Sequence, residues 1–575
     1  MSPTEPSADD VAAAREAAAA ARAAAEEAQR HADELAAAAE AAEAGSAPEA
    51  DPAESEQAAR IRAGYAFDGP ALEIGALVEN GEPRADVPVR IPFAMLNRHG
   101  LVAGATGTGK TKTLQVLAEQ VAAGGVPVFA VDIKGDLSGI ATPGEPSDAL
   151  LERTRGIGQD WQPTASQTEF YSLGGRGTGV PIRATVDAFG PILLAKVLEL
   201  NATQESSLSL VFHYARKAEL RLVTLEDLRA VLAFLDSDEG KPELKAVGGL
   251  SSATVGVILR ELITFADSGA DVFFGGPAFD VTDVLRTSES GAGIVSLLEV
   301  PGVQDRPELF STFLMYLLRE LFSSLPEVGD TERPKLVFFF DEAHLLFKDA
   351  SKDFLEIVVQ TVRLIRSKGV GVFFVTQTPK DVPDDVLAQL GSRIQHQLRA
   401  HTPQDAKALK ATVSTYPHSD YDLGEVLTQL ATGEAIVTVM NEKGAPSPVA
   451  WTRVRAPQGS MRPTPAETMA AAVAASPLTA KYATVTSSDG AASVLGERTK
   501  AASDAAAEAA AAEAERERAA REAERLEQDL ARSRTRSTGT RRRTSRRMSP
   551  MDRAIGEASR TAAREIVKAI FRKKR

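Results

Sequence analysis

The 575-residue sequence contains no cysteine, which excludes disulfides, thiolate zinc sites and cysteine nucleophiles together. It has no run of about 18 uncharged apolar residues, so no membrane-spanning helix is expected. The N-terminus lacks a basic stretch followed by an apolar one, and no secretory signal is expected there. Cytoplasm is the expected compartment. Aromatic residues are sparse at 5%, and basic patches interleaved with aromatics, the usual platform for single-stranded nucleic acid, are not evident in the central part.

What is present is ordinary in bulk and uneven in distribution. Hydrophobic residues at 43% and charged residues at 25% suit a globular protein, and the length calls for more than one core. The net charge of −14 conceals an asymmetry. Residues 1–60 carry 14 acidic and 4 basic side chains, whereas residues 532–575 carry 16 basic and 3 acidic ones. Residues 1–64 form an acidic Ala/Glu-rich segment, helical over about 9–44 on alanine propensity or else disordered. With no Leu/Ile heptad it does not read as a coiled coil.

From residue 65 to 457 the texture changes. Short apolar runs such as "GVPVFAVDI", "KLVFFFDEA" and "GVGVFFVTQ" read as buried parallel strands. Amphipathic stretches such as "TKTLQVLAEQVAAG" and "FLEIVVQTVRLIRSKG" read as the helices between them. The alternation predicts a doubly wound α/β domain, with a helical insertion at about 186–275. Residues 458–549 read as an Ala/Arg-rich linker, partly helical and then disordered and basic, and residues 550–575 as a basic amphipathic helix.

The chemistry begins in "GLVAGATGTGKTKTL". Gly104, Ala105, Thr106, Gly107, Thr108, Gly109, Lys110 and Thr111 fit the phosphate-loop pattern G-x-x-x-x-G-K-[ST] at every position, between a strand-like run and a helical one. The glycines permit a tight turn whose N–H groups face a phosphate, and the helix N-terminus adds partial positive charge. Lys110 supplies a charge for the β- and γ-phosphates, the Thr111 hydroxyl is placed for Mg²⁺, and Lys112 is counted with the nucleotide-binding residues. The run Val337–Phe340 delivers Asp341, expected to hold Mg²⁺, and Glu342, expected to act as general base toward the attacking water. A third strand ends at Thr376 and Gln377; the amide either senses the γ-phosphate and water or caps the following loop. Asp132, with Lys134 in the "KGDLSG" turn, is a further candidate for the same sheet edge, with a direct metal or nucleotide role or only a part in shaping the site.

At these residues the sequence resembles the HerA/FtsK class of P-loop ATPases, and most closely the bacterial YjgR-type, HerA-like helicase family. The resembling stretches, among them "MLNRHGLVAGATGTGKT", "DIKGDLSGIA", "RLIRSKGVG" and "GSRIQHQLRAHTP", fall in order across residues 70–457. The resemblance implies a RecA-like core, ATP with Mg²⁺, a homo-oligomer that is often a hexameric ring in this class, and DNA as partner. It also implies an arginine supplied to the neighbouring subunit's γ-phosphate, for which Arg363, Arg366 and Arg393 are candidates. One departure is visible: where archaeal relatives carry a β-barrel, this chain has about 30 residues, enough for three short strands.

The basic tail admits three readings: an anionic membrane surface, nucleic-acid phosphates, or its own core or acidic N-terminal segment. Two functions therefore stand at this level. One is an ATP-driven helicase or translocase. The other is an ATP-gated scaffold whose charged ends recruit protein or membrane.

Overall fold

The computed structural model describes residues 55–246, 248–300, 307–329, 331–347, 352–485 and 490–536. The expected acidic N-terminal helix and the basic C-terminal helix lie outside them. Among the described residues no helix is long and apolar enough to cross a membrane.

Twelve strands form one sheet: β1 (Ala71–Glu79), β2 (Glu82–Pro92), β3 (Gly100–Ala103), β4 (Val128–Asp132), β5 (Thr168–Leu173), β6 (Val180–Ile182), β7 (Val295–Glu299), β8 (Leu336–Phe340), β9 (Val370–Thr376), β10 (Ser392–Gln395), β11 (Glu434–Thr438) and β12 (Ala450–Val454). Their order is β2-β1-β12-β11-β10-β3-β9-β8-β4-β7-β5-β6. From β10 to β6 every neighbouring pair is parallel; β11, β12, β1 and β2 extend the sheet antiparallel. This is the α/β, RecA-like architecture expected from the sequence.

The central strands read as unbroken apolar runs because both their faces are covered. Phe338 and Phe340 of β8 point to one side, where Phe338 stacks on Phe129 at 4.6 Å and Phe340 on Phe374 at 5.3 Å. Phe339 points to the other and meets Phe373 at 5.4 Å. The first face is covered by the helices Pro307–Ser324 and Lys352–Ile365 and by the helices between Val186 and Asp267. The opposite face is covered by the helix Lys110–Ala123 through Leu114, Leu117, Ala118 and Val121.

Two expectations change here. The 30 residues ahead of the phosphate loop make two strands rather than three, and no separate barrel. β1 and β2 form a hairpin turned at Asn80 (φ 54°) and Gly81 (φ 84°), a pair suited to a two-residue turn whose twist matches the strands. β1 then pairs with β12, so the hairpin is absorbed into the main sheet. The core also continues past residue 457: Met469, Leu478, Tyr482, Ala491 and Leu495 are all buried in it. The compact unit ends at Leu495. The second unit begins at Gly496, where the helix Ala491–Arg536 is exposed through residue 532. Alanine propensity and pairs such as Arg521–Glu517 (3.3 Å) suit that exposed helix.

His99 locks the short 3-10 helix Phe93–Arg98 against the sheet. Its Nε2–H donates to Val362 O at 2.7 Å, and its Nδ1 accepts the Val372 N–H at 3.0 Å. Burial pushes this imidazole down to about 4, and His396 is pushed equally low by its own burial. A depressed folded-state pKa means stability that is complete above about 6.5 and lost as pH falls through about 4. Each histidine contributes about 3 kcal/mol to that loss. Urea denaturation between pH 7 and 4.5 should therefore show stability falling with uptake of two protons. His99→Gln, which keeps one donor and one acceptor, should remove one of them; an unchanged slope would refute the assignment.

Candidate functional site

β3 ends at Ala103, and the loop Gly104–Gly109 carries the chain from it into the helix Lys110–Ala123. Gly104 donates its N–H to Thr376 O of β9 at 3.2 Å. A Cβ on it would lie 2.5 Å from the Cβ of His396, so only glycine fits. Gly107, at φ 85°, faces open space. The loop is held from outside: Ala105 N–H donates to Gln397 O at 2.8 Å, Gly433 N–H to Thr108 O at 3.0 Å, and Arg399 Nη2 to Thr106 O at 3.2 Å. Behind it, His396 donates from Nδ1 to Glu434 O (2.8 Å) and accepts the Thr113 hydroxyl on Nε2 (2.9 Å). Lys110 folds back over the loop, its Nζ 2.6 Å from Gly104 O and 3.1 Å from Ala105 O. Burial draws its pKa down, while Glu342 and Asp341 act in the other direction.

The opposite wall comes from β8. Asp341 and Glu342 follow Phe340, and both are buried. Glu342 adopts φ 48°, a conformation uncommon outside glycine, and its N–H donates to Asp341 Oδ1 at 2.9 Å. The turn is tied to β9 by Ala343 N–H donating to Val375 O at 2.8 Å. Burial, followed by the neighbouring Glu342 charge, pushes the Asp341 carboxyl up to about 6. Glu342 goes the other way, to about 2. Its foremost cause is His344, whose Nδ1 lies 3.1 Å from Glu342 Oε2, and Lys134 follows with an ion pair to Oε1.

β9 lies between the two walls, hydrogen-bonded to β3 on one side and β8 on the other. Lysine loop and acidic pair thus face each other across two strand spacings, roughly 10 Å. Gln377 follows β9 at this rim and is exposed. Its turn is closed by Asp381, which accepts from the Thr376 hydroxyl (2.6 Å) and the Thr378 N–H (3.0 Å).

Not every candidate converges. Both Asp132 oxygens are occupied by its own turn, through Gly135 N–H (2.7 Å), Leu137 N–H (2.9 Å) and Ser138 N–H (3.1 Å). Asp132 therefore shapes the turn that projects Lys134 toward Glu342. Lys112 points away from the phosphate loop, donating to Met461 O at 2.7 Å. Arg363 is exposed near the end of the helix Lys352–Ile365, and Arg366 sits in the turn that follows; both precede β9 at the sheet's amino edge. The seven residues of β9 separate that edge from the site by about 20 Å. Arg393, within β10, donates to the Thr415 hydroxyl at 2.7 Å.

Three contributors escaped the sequence reading: Arg399 on the loop tip, His396 behind it and His344 beside Glu342. The signal for the first two was the polar run "QHQLR" ending an otherwise buried strand, and for the third a titratable ring two positions after the presumed base.

Comparison with known proteins places the chain in a family. A family model described as "Helicase HerA-like C-terminal" matches residues 78–575. The DNA double-strand break repair helicase HerA of Sulfolobus acidocaldarius is 24% identical over 384 residues, covering 64% of this chain and 67% of the relative. The probable helicase MJECL08 of Methanocaldococcus jannaschii is 24% identical over 391 residues, with 64% and 68% covered. Among solved structures, the plasmid coupling protein TrwB in complex with ADP and Mg²⁺ aligns at TM-score 0.47 and 17% identity, over 70% of this chain and 93% of that one. VirB4 of Thermoanaerobacter pseudethanolicus aligns at 0.43 and 14%, over 68% and 97%.

Proposed function

This chain belongs to the helicase HerA-like C-terminal family, and we propose from that premise that it binds ATP with Mg²⁺ and hydrolyses it to drive work on DNA as a homo-oligomer. The observation that carries the reading is the convergence of the Lys110 loop and the Asp341–Glu342 pair on one rim, both tied to β9.

The residues fit the ligand set. The Lys110 ammonium rests on neutral carbonyls, so a phosphate offers it an anionic partner in reach of the same loop. The Thr111 hydroxyl and Asp341 are hard oxygen donors of the kind Mg²⁺ takes. An Asp341 carboxyl raised to about 6 is readily ionised by a divalent cation. Bound there, Mg²⁺ neutralises charge on the phosphate oxygens. Gly107, Thr108 and Gly109 offer backbone N–H groups to the phosphates, and the helix N-terminus adds its dipole. Glu342 orients and deprotonates the water, and Gln377, between the two walls, contacts the γ-phosphate or that water.

The positions of the arginines support the oligomer. Arg363 and Arg366 stand at the far edge from their own phosphate loop, so either serves a γ-phosphate only on a neighbouring subunit. Arg393, within β10, donates to the Thr415 hydroxyl of its own chain and would have to leave it to reach a neighbour.

The test is the ATPase rate with and without duplex and single-stranded DNA, alongside the mass of the assembly in each nucleotide state. A several-fold rise with DNA, shrinking as salt increases, and a ring-sized mass are expected. A monomer whose rate ignores every DNA would refute the motor and leave an ATP-gated scaffold.

A further inference from the structure

The segment after the last strand is fastened to the phosphate-loop helix along one face. Glu119 is a buried carboxylate, and burying one is costly unless it is satisfied. It accepts N–H groups from Gln458 (2.7 Å) and Gly459 (2.9 Å) and the Gln115 amide (3.1 Å). One turn nearer the loop, Gln115 Nε2 donates to Ser460 O at 3.1 Å, and nearer still Lys112 Nζ donates to Met461 O at 2.7 Å. Residues 119, 115 and 112 lie on one side of a helix, so the segment descends toward Thr111. Gly459 packs closely on this face: a Cβ there would stand 2.9 Å from Glu119 Oε1 and 3.0 Å from Gln115 Nε2, so both side chains would have to shift to admit one. The far side is pinned as well: Ser460 N–H donates to Thr142 O (2.8 Å), and the Thr464 hydroxyl to Ser138 O (2.6 Å).

These bonds turn the segment's carbonyls inward. Those of Gln458, Ser460, Met461 and Arg462 all accept from the chain itself. The side chains of Met461, Arg462 and Pro463 face outward, and Met461, 45% exposed, is the large apolar one that Lys112 fixes beside the helix N-terminus. A flexible, polarizable thioether suits the face of an aromatic ring.

We propose that Gly459–Pro463 is the platform for the nucleoside of the bound nucleotide, with Met461 lying against the face of the base. The proposal rests on the phosphate-cradle reading: a triphosphate seated at Gly107–Thr111 leaves its nucleoside beside the first helical turn, which is where Lys112 fixes Met461. Since the carbonyls of Ser460, Met461 and Arg462 are already taken by the chain itself, Met461 offers the ring's face a contact and its hydrogen-bonding edge none. ATP and GTP are therefore held about equally well.

Calorimetric titration of the full chain with ATP, GTP and tripolyphosphate, each with Mg²⁺, tests this. Met461→Ala should weaken ATP and GTP by a similar factor, roughly two- to tenfold, and leave tripolyphosphate unchanged; Met461→Leu should stay near the unaltered chain. Equal loss of tripolyphosphate affinity, or no loss for either nucleotide, would overturn the platform while the cradle stands. An unaltered chain that binds neither ATP nor tripolyphosphate would overturn the cradle, and this inference with it.

Discussion

Lys110→Ala abolishes ATP turnover, with kcat/KM expected to fall by about 10³-fold and ATP binding by about ten- to hundredfold. The reason is specific to how this lysine is placed. Its ammonium is drawn in over the loop until burial lowers its pKa, and its contacts are the carbonyls of Gly104 and Ala105. A partly desolvated cation held only by neutral acceptors gains most when a phosphate oxygen replaces them, and gains more as charge moves outward in the transition state. Alanine removes that gain and little else. The loop itself is secured by Thr376, Gln397, Gly433 and Arg399, so the melting transition should move by no more than about 1 kcal/mol in stability. Steady-state kinetics, nucleotide titration and thermal denaturation of the same preparation separate the two effects. Turnover surviving in a folded Lys110→Ala chain would mean that the cradle is not the hydrolytic site.

Local pattern accounts for what could be read from the residues, and long-range closure for what could not. The buried strands betrayed themselves as apolar runs because both faces are covered. The phosphate loop did so because a tight turn before a helix leaves few choices of residue. Pairing is a different matter. Nothing in "GVGVFFVTQ" says that β9 inserts between the lysine strand and the acidic strand, yet that insertion sets their separation. Asp132 illustrates the same gap. A carboxylate at a strand end looks like a ligand, and only the geometry of the next six residues shows its oxygens consumed by backbone N–H groups. Lys112 was placed with the nucleotide by its position in the motif, but its partner, Met461, is 349 residues away in sequence. Residues 458–495 read as linker because alanine-rich composition hides the few side chains, Met469, Leu478 and Tyr482, that anchor them.

Glu342→Gln separates binding from chemistry. The amide keeps the shape of the side chain and cannot take a proton from water, so hydrolysis should slow by about 10²–10⁴-fold while ATP stays bound. The resting structure adds a condition on the native residue. With His344 and Lys134 holding it at about 2, Glu342 is fully ionised but a feeble base, and it becomes effective only when Lys134 lets go. Lys134 sits on an exposed turn, 40% accessible, so incoming phosphate charge can compete for it. The sign of the pH effect follows. A carboxyl with a depressed pKa stays ionised down to about 2, so the acid limb of kcat/KM that it causes lies below the pH at which the buried histidines take up protons. Lys134→Ala removes the ammonium paired with Oε1 and shifts that limb upward, toward the ordinary carboxylate range. Profiles of kcat/KM taken down to pH 4, where the native limb is not yet reached and that of Lys134→Ala has begun, with Glu342→Gln as the baseline lacking the base, detect the shift. A Glu342→Gln chain that hydrolyses at the native rate would remove the carboxylate from the chemistry. A Lys134→Ala profile superimposable on the native one would show that the ion pair is not what restrains it.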